Sequence, residues 1–162
     1  MRSLPQWRRH LDEVFVRING EVRYLWRAVD HEGEVLEVVV TKKRDRKAAL
    51  RFLKKAMRRH GSPRAVVTDR LRSYRATMKI SGIAGRQLTG RWPNNRAENS
   101  HQPFRRQERS MAKFRGTKSL QKFASIHSSI HNHFNQERHL QRRQDYKLSR
   151  CAALAEWRQR AA

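Results

Sequence analysis

Three carboxylates stand out in a chain that has few of them. Asp12 lies in the alternating run Leu11-Asp-Glu-Val-Phe-Val-Arg-Ile18, Asp69 ends the apolar run Arg64-Ala-Val-Val-Thr-Asp69, and Glu98 follows Pro93-Asn94-Asn95. Between Arg46 and Gln107 the only acids are Asp69 and Glu98. Over all 162 residues, 38 Lys and Arg oppose 14 Asp and Glu, a formal net charge of +24. Acids that converge in such a chain repel one another and lose hydration, so they need a cation between them. Magnesium or manganese suits that place, because a hard ion takes a few carboxylates, keeps several waters and completes its shell with phosphate oxygens. Two such ions about 3.5–4 Å apart can activate an attacking oxygen and stabilise a leaving one at phosphorus. The positive excess destabilises the compact state by self-repulsion and is tolerable chiefly for a chain whose partner is a polyanion, which makes nucleic acid the expected partner.

The elements that must carry these acids are legible from periodicity. Leu11–Ile18, Val22–Val29 and Val35–Thr41 are β-rich runs separated by Asn19-Gly20 and by the turn formers Asp30-His-Glu-Gly33. Asn-Gly between such runs is a strong hairpin signal, so an antiparallel meander is expected. Ala49, Phe52, Leu53, Ala56 and Met57 then form a helical stripe, with Asp45 as the N-cap and Gly61 as the stop. The run at 64–69 reads as a buried strand, reached by a crossover onto the same sheet. Residues 72–81 suit a short helix, and the glycine-containing stretch from Ser81 to Trp92 reads as an irregular connection. A helix is expected from an N-cap at Asn94 or Asn95 through Arg109, kinked or halved by Pro103. Two more follow, on Leu120, Phe123, Ile126, Ile130 and Phe134, and from Asp145 to Arg160. The expected fold is therefore α/β, a mixed sheet with an antiparallel meander and flanking helices.

In such sheets ligand sites lie beyond the carboxyl ends of strands, where Asp69 falls. Asp12 shares a pleat face with Val14, Val16 and Ile18, while Glu13 is expected on the opposite face. Glu98, His101 and Arg105 recur along one helical face. Each acid alone also has a structural role open to it: Asp69 as a helix cap, Glu98 as a solvated acid, Asp12 paired with an arginine. Asp30, a rival to Asp12, is better placed as a turn residue. His101 could position a water or phosphate; Asn95, Arg96, Arg105 and Arg106 would lie close to a DNA strand, and Trp92, between Arg91 and Pro93, is the best aromatic for DNA contact. Trp26 and Trp157 are better suited to packing. His127 and His131 have the spacing of a metal pair but no third ligand. No apolar run approaches the roughly 20 residues of a membrane span, and the lone Cys151 excludes an internal disulfide and fits the cytoplasm.

Taken together, Leu11-Asp12-Glu13-Val-Phe-Val, Tyr24-Leu-Trp-Arg-Ala-Val-Asp30, Arg44-Asp-Arg-Lys-Ala-Ala49, Val67-Thr-Asp69, Ser73-Tyr74 and Asn94-Asn95-Arg-Ala-Glu98-Asn-Ser-His101 resemble the catalytic domain of bacterial insertion-sequence transposases of the IS-six family. The resemblance runs from about Trp7 to Trp157. It implies a fold like ribonuclease H and the retroviral integrases, with Asp12, Asp69 and Glu98 as a D-D-E triad that is both catalytic and metal-binding, holding two Mg2+ or Mn2+ ions. It also implies cleavage and transfer of DNA ends to give cointegrates. The implied partners are transposon ends and target DNA, bound by a homodimer or higher oligomer in the bacterial cytoplasm and nucleoid, with no membrane. Residues 1–10 are then the remnant of an upstream linker, 11–135 the DDE core and 136–162 a C-terminal helical extension. Two departures stand out. Only eleven residues precede Asp12, where family members usually carry a DNA-recognition segment, so the chain looks truncated. The 28 residues between Asp69 and Glu98 are also fewer than in many members. The competing readings are a ribonuclease-H-like nuclease that cuts without joining, and an inactive, basic DNA-binding protein.

Overall fold

Asn19 and Gly20 have φ of 51° and 80°, the doubly left-handed backbone of a two-residue hairpin turn whose twist matches the strands it joins. The turn sets the register of β1 (Arg8–Ile18) against β2 (Glu21–Asp30), from Ile18 opposite Glu21 to Arg9 opposite Asp30. The computed structural model describes residues 8–30, 33–69, 72–89, 91–111, 114–134 and 142–161. β2 pairs antiparallel with β3 (Val35–Thr41), completing the expected meander. Asp30 closes the turn between them: its backbone exchanges hydrogen bonds with Glu34 and Gly33, and its Oδ1 accepts from Glu34 N at 2.9 Å.

Helix α1 (Arg46–His60) begins and ends where its caps dictate. Asp45 accepts from Ala48 N, and Gly61 adopts φ 75° while donating to Met57 O. Its stripe of Ala48, Ala49, Phe52, Leu53 and Ala56 is buried against one face of the sheet with Leu11, Trp26, Val66, Tyr74 and Met78. Each such fully buried large apolar side chain stabilises the fold by about 1.5–3 kcal/mol. Trp26 is wholly buried, packs on Phe52 and Tyr74, and donates to Thr41 Oγ1 at 2.7 Å.

β4 (Ala65–Thr68) lies parallel to β1, and α2 (Arg72–Ile80) follows it. The stretch expected to be an irregular connection instead holds a 3-10 turn at Ala84–Arg86 and a short strand, β5 (Gln87–Thr89), parallel to β4. It escaped the periodicity because the strand has three residues, and Leu88, its one apolar side chain, is exposed. The sheet order is β3-β2-β1-β4-β5.

Helix α3 (Arg91–Ser110) starts at Arg91 rather than after an Asn94 or Asn95 cap. Pro93 falls in its first turn, where backbone N–H groups have no intrahelical partner and proline is tolerated. The helix also continues through Pro103. With α4 (Thr117–Phe134) it covers the other sheet face, where Phe104, Phe114, Leu120 and Ala124 meet Val16, Ile18, Leu25, Val35 and Val38. Helix α4 also masks the edge strand. Gln121 accepts from Val40 N and donates to Val38 O, and Asn132 accepts from Val35 N and donates to Val35 O. Helix α5 (Arg143–Ala161) rests on the end of α4, where Trp157 packs on His133 and Phe134. β1 begins at Arg8, so residues 8–10, expected in the linker, pair with β4.

Candidate active site

The last paired position of parallel β1 and β4 is His10 opposite Val67. Asp12 and Asp69 each lie two residues beyond it. Because the strands run in one direction, equal steps keep the two residues side by side at the same end of the sheet. Their carboxylate oxygens, with one from Glu13, lie within 4.8 Å of one another. Among the described residues this is the only grouping of three or more metal-ligand side chains.

Glu13 is the residue that periodicity misplaced. It alternates with Asp12 along β1 as expected, yet its carboxylate reaches the same cluster at the strand end. Its side chain is 4% exposed, and Arg44 Nη2 is bonded to its Oε1 and lies 3.9 Å from Asp69 Oδ2. Burial, reinforced by the charges of Asp69 and Asp12 and opposed by Arg44, raises its carboxyl to about 7. Burial likewise pushes the Tyr74 hydroxyl well up, and Glu13, Asp12 and Asp69 push in the same direction. The signal in the sequence was the doublet Asp12-Glu13 itself.

Asp12 is held from two sides. Its Oδ1 accepts from Glu13 N at 2.8 Å, and its Oδ2 is 2.8 Å from His101 Nε2. The other ring nitrogen of His101, Nδ1, faces Arg27 Nη1 at 3.4 Å. A guanidinium can only donate, so Nδ1 is the acceptor and Nε2 carries the proton given to Asp12. Burial, with Arg27 and Arg105 adding to it against the pull of Asp12, lowers the His101 pKa and keeps the ring neutral at pH 7. Burial also lowers Arg27, to about 10, against the opposing charge of Asp12. Arg27 was not singled out from sequence, although counting back from the Asn19-Gly20 turn places it opposite Asp12.

The remaining expected site residues divide. Glu98, Asn95, Arg96 and Trp92 lie on α3, with side chains outside the described residues. Arg105 donates to Phe15 O and Glu108 Oε2, both at 2.7 Å, and lies over the Phe15 ring, while Arg106 is exposed. His127 and His131 stack at 6.3 Å beside a cavity of about 520 Å3 between α3, α4 and α5, lined also by Gln107, Phe123, Ile126, Ile130 and Tyr146. No helix among the described residues is long and apolar enough to cross a membrane.

Residues 6–137 match the IS240-type DDE domain family. The chain belongs to the IS-six DDE transposases. The chain is 35% identical over 77 residues to the transposase for the insertion sequence-like element IS431mec of Staphylococcus aureus. The match covers 48% of this chain and 34% of that relative, so the chain spans about a third of its length. Its fold is that of the retroviral integrases. It superposes on the simian T-cell lymphotropic virus intasome, solved with the PP2A regulatory subunit B56 gamma, with a TM-score of 0.63 at 18% identity, over 86% of this chain and 52% of the other. Against the HTLV-2 integrase catalytic core, solved in complex with magnesium in a dimeric form, the TM-score is 0.51 at 17% identity, over 61% and 67%. The ribonuclease-H-like mixed sheet expected from sequence is the fold observed.

Proposed function

We propose that this DDE domain is the catalytic part of an insertion-sequence transposase, a polynucleotidyl transferase that cleaves DNA ends and joins them to target DNA. The observation that carries this is the meeting of Asp12 and Asp69 at one sheet end, beside the helix that bears Glu98. The carboxylates of Asp12, Glu13 and Asp69, gathered among so many cations, form a hard, oxygen-only donor set, which fits magnesium or manganese better than a soft or borderline metal. The retroviral core solved with magnesium has the same fold. Asp12, Asp69 and Glu98 are the proposed ligands of two ions. When bound, the ions supply activation of the attacking oxygen and charge stabilisation of the leaving one.

The chain's own residues do the rest. His101 orients the Asp12 carboxylate, and Arg27 fixes the tautomer in which His101 can do so. The net charge of +24 draws the DNA backbone to the domain. Asn95, Arg96, Arg106 and Trp92 are proposed to border the bound strand, whereas Arg105 serves mainly to tie α3 to β1. Assembly as a homodimer or higher oligomer on transposon ends and target, in the bacterial cytoplasm, completes the reading.

The test is joining of a pre-cut end duplex to a target plasmid in magnesium. Joined product is expected from the unaltered chain, and Asp69→Asn should lower it by about 100-fold or more, since loss of outer-shell partners alone costs 10–100-fold. Cleavage without any joining would favour a nuclease instead.

A further inference from the structure

We propose that Arg44 is the resident cation of the carboxylate cluster: it holds Glu13 and Asp69 in the metal-free protein and leaves both when a divalent ion enters, Glu13 then becoming a ligand beside Asp12 and Asp69. The proposal rests on the metal-site reading above and adds two residues to it. A single guanidinium nitrogen, Arg44 Nη2, bonds Glu13 Oε1 and lies 3.9 Å from Asp69 Oδ2, so one positive centre serves two of the three acids. A divalent ion held by the same carboxylates would take over that charge.

The partners differ in freedom. The Glu13 side chain is 4% exposed and cannot turn to water for another cation, whereas that of Arg44 is 40% exposed. Arg44 precedes Asp45, the N-cap of α1, in the link after β3, so its side chain can swing outward while the Asp45 cap stays made. An arginine suits the task because it stays charged beside acids and binds carboxylates through a planar fork.

Two buried polar atoms point to a ligand that belongs here. Glu13 Oε2 and the Tyr74 hydroxyl are both buried and have at most each other as a hydrogen-bond partner among the described residues. Tyr74 is 1% exposed, and its hydroxyl lies within reach of the charges of Glu13, Asp12 and Asp69. Buried groups left unsatisfied are costly. A hydrated ion held by Glu13 would offer both atoms a further partner.

The experiment is calorimetric titration of the whole chain with Mn2+, beside Arg44→Met, Glu13→Gln and Asp69→Asn. Arg44→Met should bind Mn2+ about tenfold tighter, equivalent to about 1.4 kcal/mol, and Glu13→Gln should bind more weakly by a similar factor. Folded Arg44→Met that binds no tighter, or Glu13→Gln that binds as the unaltered chain does, overturns the proposal. Asp69→Asn binding unchanged would instead overturn the metal site itself, so the two failures are distinct. If Arg44→Met does not fold, 15N side-chain NMR of the unaltered chain decides: the Arg44 Nε–H signal should pass from restricted to freely rotating on saturation with Mg2+, and an unchanged signal overturns the exchange.

Discussion

Asp12 and Asp69 stand side by side because each lies two residues beyond the His10–Val67 pair of two parallel strands. The acids are 57 positions apart in sequence. Parallel pairing next to a hairpin strand brings them together without any loop having to carry the chemistry.

Metal should therefore stabilise the fold through Asp69. At an ion concentration about 100 times the dissociation constant, mass action adds about 2.7 kcal/mol, several degrees of melting temperature for a domain of this size. In Asp69→Asn that gain should shrink sharply, while Asp30→Asn should keep it, because Asp30 serves the β2–β3 turn and an amide oxygen still accepts from Glu34 N. Thermal melting with and without magnesium at constant ionic strength checks this. An equal response in Asp69→Asn and the unaltered chain would remove Asp69 from the site.

His101 offers a sharper substitution. His101→Ala strips a partner from both Asp12 and Arg27 and should cost about 1–3 kcal/mol in urea denaturation and about 10–100-fold in strand joining. Glutamine can donate to Asp12 and accept from Arg27 through one amide, so His101→Gln should recover part of both losses. Full joining activity in His101→Ala would show that Asp12 needs no such support.

The stacked pair on α4 sets an acid sensitivity. Burial, with Arg27 next, lowers the pKa of both His127 and His131, and His127 adds to the effect on His131. Depressed in the folded state, they contribute stability that is present above the unfolded value of 6.5 and lost as pH falls through the folded values. Between pH 7 and 5, His131→Phe should lose less stability than the unaltered chain, by up to about 1.4 kcal/mol per pH unit for the one removed group. Parallel stability curves for the two proteins would contradict this.

Gln121 and Asn132 stand in for a missing neighbour strand along β3. Truncating either to alanine should cost about 1–2 kcal/mol, as buried backbone groups lose partners, and the two losses should nearly add because the sites are separate. Both variants should also aggregate faster on heating, which light scattering would register, since an uncovered edge recruits other strands.

What sequence determined by itself was local. The Asn19-Gly20 turn, the Asp45 and Gly61 caps of α1 and the helical stripes all rest on contacts within a few residues, so residue type alone selects them. The β1–β2 register followed from that turn, and with it the pairing of Asp12 with Arg27, although only the folded chain drew attention to it. The D-D-E resemblance pointed to Asp12 and Asp69, two acids that the fold brings side by side. The tertiary structure decided what depends on distant strands. Periodicity assigns a face to a residue's Cβ, but the long side chain of Glu13 at the sheet end reaches round to the cluster, held there by Arg44 from beyond β3. β5 exists only because β4 offers it an edge, its own three residues having no pattern to announce a strand. And α3 begins at Arg91 because a proline in a first helical turn loses nothing, a distinction between start and stop that Pro93 alone does not encode.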